Sequence, residues 1–147
     1  MKIVINEIKE TNEEYVLFHV HEVDEKINKM IQHIKNTDTH LIGKQDEKLY
    51  KVKYKDIFYI ETVDKKSFMY TTNHVLSLSE KLYQLEERLQ WVDFFRVSKS
   101  MLLNLDKIEQ IYPTVSARFE AKLTNGEVVI IARSYVQKLK KKMGIGR

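Results

Sequence analysis

Cysteine is absent from this 147-residue chain, proline occurs once and glycine four times. Without thiols there is no disulfide framework, no thiolate metal site and no cysteine nucleophile, and nothing calls for an oxidising compartment. Scarce glycine removes the phosphate cradles that glycine-rich loops build from backbone amides. No Gly-x-Gly-x-x-Gly, Walker A, Gly-x-Ser-x-Gly or His-Glu-x-x-His string occurs. Long apolar runs are missing too: stretches such as residues 15–20 and 128–132 fall far short of the roughly 20 residues that span a bilayer. The start Met-Lys-Ile-Val-Ile-Asn-Glu does not continue into a signal peptide. The expectation is a cytoplasmic protein that is not an enzyme and needs neither a cofactor nor a small-molecule substrate.

What is present is a 43% hydrophobic content, enough for one core, and an uneven charge. Residues 1–40 carry 5 Lys and 8 acidic residues, and residues 41–147 carry 20 Lys plus Arg and 13 acidic, so an acidic leader at −3 precedes a basic body at +7. A basic body is the electrostatic footprint of a polyanion binder. After Glu127 the cations Arg133, Lys138, Lys140, Lys141, Lys142 and Arg147 meet no acid; the same run also serves as a solvated, solubilising tail.

In the leader, residues 2–8 and 15–21 read as strands around the turn-forming Thr11-Asn12-Glu13-Glu14, which predicts a hairpin. Val23, Ile27, Met30, Ile31 and Ile34 then recur at helical spacing behind Glu22, Asp24 and Glu25, which suit the positive end of a helix dipole. Asn36-Thr37-Asp38-Thr39 is the best linker, so the boundary is expected between residues 1–39 and 40–147.

The body reads as short strands at 40–43, 49–55, 57–61, 68–72, 75–78, 94–97, 101–105, 108–112, 115–123 and 127–132. Residues 49–55 alternate, with Tyr50, Val52 and Tyr54 opposite Lys51, Lys53 and Lys55. A helix is expected from near Ser79, capped by Ser77 or Ser79, with Leu82, Leu85 and Leu89 as its apolar stripe. Asn125-Gly126 predicts a tight hairpin turn with two positive φ angles. Ser134 is the expected cap of a last helix that buries Val136, Leu139 and Met143. The class is α+β, mostly β.

Among groups that could carry chemistry, His19 and His21 share one strand face, a spacing able to hold a metal. The other histidines are scattered and Glu22 lies on the opposite face, so no metal site is expected. The carboxylates stand on helix surfaces or beside lysines, where solvated ion pairs are the default, and none is singled out as catalytic. Three polar turns remain: Asp64-Lys65-Lys66-Ser67, Ser98-Lys99-Ser100 and Arg133-Ser134. Each sets hydroxyl, ammonium or guanidinium donors at a strand end, and such donors bind phosphate oxygens and base edges.

The run Phe94-Phe95-Arg96-Val97-Ser98-Lys99-Ser100-Met101-Leu102-Leu103-Asn104-Leu105-Asp106-Lys107-Ile108 resembles the LytTR family of bacterial DNA-binding domains. So does its context: Ile57-Phe58-Tyr59-Ile60-Glu61, Leu82-x-x-Leu85-Glu86, Asn125-Gly126, and Ile131-Ala132-Arg133-Ser134-Tyr135 before a lysine-rich helix, in order over about residues 41–145. The resemblance implies an elongated arrangement of small antiparallel sheets with few helices, here preceded by the leader hairpin and helix. It implies insertion of loops into successive major grooves of double-stranded DNA without a recognition helix. Carried onto this chain, the first DNA-facing loop is Lys65, Lys66 and Ser67, the second Ser98 and Lys99, and the last Arg133 and Ser134; Lys138 of the basic run joins the set.

Family members often have His or Arg in the first loop and Asn or His in the second, where this chain has Ser67 and Lys99. Lys99 either reads guanine O6 and N7 or holds a phosphate as a point charge. The layout is similar to stand-alone LytTR regulators, some of which answer to a small membrane protein, and no receiver domain is expected ahead of residue 40. A homodimer on repeated half-sites is the implied assembly, and the leader is read as a dimerisation element, a regulatory surface or a completion of the core. The alternative function is a protein-binding module or anti-regulator without direct DNA binding.

Overall fold

Tight turns with left-handed backbone organise the body. In the computed structural model, which describes residues 1–35 and 39–145, β1 (His40–Gln45) and β2 (Lys48–Lys53) pair antiparallel, closed by Asp46 and Glu47 at φ 51° and 64°. The hairpin of β3 (Tyr59–Val63) and β4 (Lys66–Tyr70) repeats the device with Asp64 and Lys65 at φ 50° and 66°. Two positive φ angles in a two-residue loop match the twist of the flanking strands. Strand β5 (Val75–Leu78) returns along β4 and meets β1 at Lys44 and Ser77. After α2 (Leu82–Arg88), β6 (Phe94–Ser98) and β7 (Met101–Asn104) complete a seven-stranded sheet in the order β2-β1-β5-β4-β3-β7-β6. A second sheet, β10-β9-β8, holds β8 (Ile108–Pro113), β9 (Phe119–Leu123) and β10 (Val128–Ile131), and α3 (Arg133–Met143) follows it.

Around β7 the larger sheet is buried on both faces, which explains the unbroken apolar run Met101-Leu102-Leu103 where alternation would be expected of a half-exposed strand. In β7 the consecutive Leu102 and Leu103 point to opposite sides. Leu102 joins Leu41, Ile60, Met69, Leu76, the α2 residues Leu82 and Leu85, and Leu89 just after the helix. Leu103 joins Phe58, Val97, Ala121, Leu123, Ile131 and the α3 residues Val136 and Leu139. Each fully buried aliphatic side chain contributes about 1.5–3 kcal/mol. Asn104, 3% exposed, sits between the strands as a polar tie: its Nδ2 donates to the Ile57 carbonyl at 2.8 Å and its Oδ1 accepts from the Asp106 amide at 3.1 Å.

Several expectations are corrected. Residues 1–22 form no β-ladder; the turn is there, with the Asn12 amide donating to the Lys9 carbonyl at 2.9 Å, but Ile3, Ile5, Tyr15 and Leu17 stay 65–84% exposed. A two-stranded ribbon with no third layer to bury its face is marginal, which is why the alternation did not suffice. The leader helix does form as α1 (Glu25–Lys35), its start fixed by Asp24 Oδ1 accepting the Ile27 amide at 2.9 Å. Ser77 caps nothing: it lies in β5 and donates to the Lys44 carbonyl at 3.1 Å, and α2 begins three residues after Ser79, with Gln84 Oε1 accepting the Lys81 amide at 2.9 Å.

Ser134 is likewise inside α3, because the Ala132 amide is held by the Val97 carbonyl at 2.9 Å and Ala132, two residues earlier, takes the cap position. The Asn125-Gly126 turn uses a three-residue loop in which Gly126, at φ 90°, has the left-handed backbone and Asn125 does not. Strand β9 begins at Phe119 rather than at residue 115, since Ser116 and Ala117 adopt φ 63° and 58° and turn the chain.

The chain divides into two compact units, Met1–Thr37 and Asp38–Arg147. Of the expected linker, residues 36–38 lie outside the described residues, as does Arg147.

Candidate nucleic-acid interface

Antiparallel pairing brings the three polar turns to one end of the body. Strand β3 runs toward its turn and β7 away from its own, with Glu61 opposite Met101 and the Thr62 amide donating to the Ser100 carbonyl at 2.8 Å. The β3–β4 and β6–β7 turns are therefore neighbours. The bond from Ala132 to Val97 draws the start of α3 beside Ser98 in the same way.

In the first turn Lys65 and Lys66 are exposed, but Ser67 is not a loop residue. It pairs with Thr62 in β4 and is 3% exposed, because the two-residue turn at Asp64-Lys65 sets the pleat so that Ser67 points inward. Its hydroxyl is therefore not exposed beside Lys65 and Lys66. In the second turn Ser98 Oγ accepts the Ser100 amide at 3.2 Å and Lys99 is exposed at the tip. Arg96, which its sequence pattern does not single out, grips this turn from below. Its Nε donates to the Ser98 carbonyl at 2.9 Å, its Nη2 to the Lys99 carbonyl at 2.5 Å, and its Nη1 to Glu86 of α2 at 2.9 Å. The acid at Glu86 is its one signal in the sequence.

Ser98, Arg133 and Ser134 line one cleft of about 930 Å³, joined by Arg118, which the alternation of residues 115–123 marks only as the outward side of a strand. Lys138 is exposed one helical turn beyond Ser134, on the same side of α3. Lys140 instead stacks its ammonium 4.9 Å from the Phe119 ring centre. Two carboxylates, Glu61 and Glu127, also line the cleft, and each disfavours ionisation of a neighbouring phenol. Burial and the Glu127 carboxylate push the Tyr59 hydroxyl well above its ordinary value, and burial followed by Glu61 does the same to Tyr70. The two rings stack at 4.4 Å. The cleft thus combines guanidinium and hydroxyl donors with two acids that stand beside tyrosines, a pattern suited to a polyanion approached along defined edges.

Comparison with known proteins places this geometry. The family described as LytTr DNA-binding domain matches residues 47–144. The Sensory transduction protein LytT of Enterococcus faecalis is 28% identical over 100 residues, 68% of this chain and 41% of that protein. That of Bacillus subtilis is 31% identical over 91 residues, 62% and 38% of the two chains. The Transcriptional regulatory protein LytR of Staphylococcus aureus is 28% identical over 110 residues, 75% and 45%. The chain therefore spans less than half the length of these relatives. A solved LytTr DNA-binding domain of a methyl-accepting/DNA response regulator from Bacillus cereus superposes with a TM-score of 0.70 at 25% identity, over 74% of this chain and 99% of that one.

Proposed function

Since the chain belongs to the LytTR family of DNA-binding domains, we propose that it is a bacterial, cytoplasmic transcription regulator that binds specific duplex sequences through the turns at one end of its body and catalyses no reaction. The observation that carries this reading is the convergence of Ser98, Arg133 and Ser134 on one cleft, with Lys65, Lys66 and Lys99 exposed on the adjoining turns. The turns enter successive major grooves, lysines neutralise phosphates, and Arg133 is the residue whose planar donors suit a guanine edge. Lys138 and Arg118 hold phosphates. A homodimer engages two half-sites, one per body.

The leader presents the surface for a further partner, and some stand-alone relatives answer to a small membrane protein. Among the described residues, no helix is long and apolar enough to cross a membrane.

The test is binding of the full chain to promoter fragments, including that of its own operon, across a salt series. If about six phosphates are neutralised, log K falls with log salt with a slope of about −5. A flat salt response with a blank footprint rejects direct DNA binding in favour of a protein-binding role.

A further inference from the structure

The leader is apolar where it is neutral and acidic where it turns. Residues 15–21 carry no Lys, Arg, Asp or Glu, and residues 2–6 carry only Lys2, while Glu10, Glu13 and Glu14 gather at the turn between them. Eight large apolar side chains between Ile3 and Val20 stand 37–84% exposed. Together they offer on the order of 900 Å², close to the ~800 Å² that each partner buries in a stable interface of standard size. Exposed apolar surface of this extent marks an interaction site. The backbone supports the same conclusion: both extended stretches lie outside any β-ladder and lack proline, and their only charges are Lys2 and Glu7 of the first, so little blocks strand addition.

We propose that the leader is a homodimerisation arm, in which residues 2–8 and 15–21 of two copies pair edge to edge about a two-fold axis and form the sheet that one copy leaves unformed. A second copy fits this surface because it supplies the same unpaired edge, so one antiparallel ladder satisfies both chains at once. It also keeps the acidic turns at the periphery in water. The acids at the turn disfavour an anionic lipid surface and nucleic acid alike. The inference is independent of how the body reads DNA.

The test is sedimentation of the full chain without DNA. The unaltered protein is expected to be dimeric at micromolar concentration. Leu17→Pro, which removes a ladder donor, and Leu17→Glu, which keeps the backbone and adds a buried charge, each weaken dimerisation by at least about 30-fold. Glu13→Ala in the turn leaves the dimer intact. Circular dichroism and the emission of Trp91, the one tryptophan and part of the body, verify that the body remains folded. An unaltered protein that is monomeric, including one that instead floats with lipid vesicles, overturns the proposal, as does a dimer indifferent to both Leu17 substitutions. Half-site DNA binding by Leu17→Pro stays unchanged, so failure of the DNA reading shows separately.

Discussion

The Arg96 guanidinium donates to the Lys99 carbonyl at 2.5 Å, so the residue that shapes the second DNA-facing turn lies beneath it rather than on it. With the Ser98 carbonyl and Glu86 as its other acceptors, one planar group joins β6, the turn and α2.

Arg96→Ala is therefore expected to weaken DNA binding by about 1–2 kcal/mol without deleting a group that touches DNA, because Lys99 no longer has a fixed position. Arg96→Lys does not rescue it, since an ammonium cannot serve three acceptors held in one plane. Fluorescence anisotropy at constant salt measures the affinity; unchanged binding by a folded Arg96→Ala protein rejects the positioning role.

Arg133→Ala and Lys99→Ala separate base reading from phosphate holding. Removing a side chain that hydrogen-bonds a base edge costs about 1–3 kcal/mol and relaxes preference at one position, whereas removing one that holds only a phosphate weakens all sequences alike and lowers the salt slope by about one. Ser67→Ala, at a buried strand position, leaves DNA affinity within about 0.5 kcal/mol of the parent. A large drop in affinity there restores Ser67 to the interface.

Asn104→Ala removes the side chain of a buried tie and leaves the Ile57 carbonyl and Asp106 amide without it. A destabilisation of about 2–3 kcal/mol is expected, read as a lower urea midpoint with little change in slope. Asn104→Asp keeps an acceptor for the Asp106 amide but sets a buried carboxylate against the Ile57 carbonyl, and is expected not to restore the parent's stability at neutral pH.

The raised Tyr59 hydroxyl makes stability sensitive to alkali. Its unfolded value is about 10 and its folded value is higher, so the unfolded chain loses this proton first; the contribution is complete below pH 10 and declines as pH rises toward the folded value. Tyr59→Phe is expected to flatten that decline in denaturation midpoints measured from about pH 9 to pH 11. An unchanged pH profile assigns the alkaline sensitivity to other tyrosines.

The sequence by itself determined what depends on local periodicity and on residue chemistry. Alternation at 119–123 and 128–131, the helical stripes Leu82-Leu85-Leu89 and Val136-Leu139, and the three donor-rich turns were all legible, because side chains repeat every two residues in a strand and about every three to four in a helix. The tertiary structure alone decided register and convergence. Ser67 moved from loop to interior because a turn one residue longer or shorter exchanges the faces of a strand. Arg96 and Arg118 gained their places through elements distant in sequence, and Ser134 gave up its capping role to a bond between Ala132 and Val97. The leader shows the same limit from the other side: its alternation specifies strands, but one copy leaves them unpaired, because a two-stranded ribbon without a further edge and a face to cover is marginal.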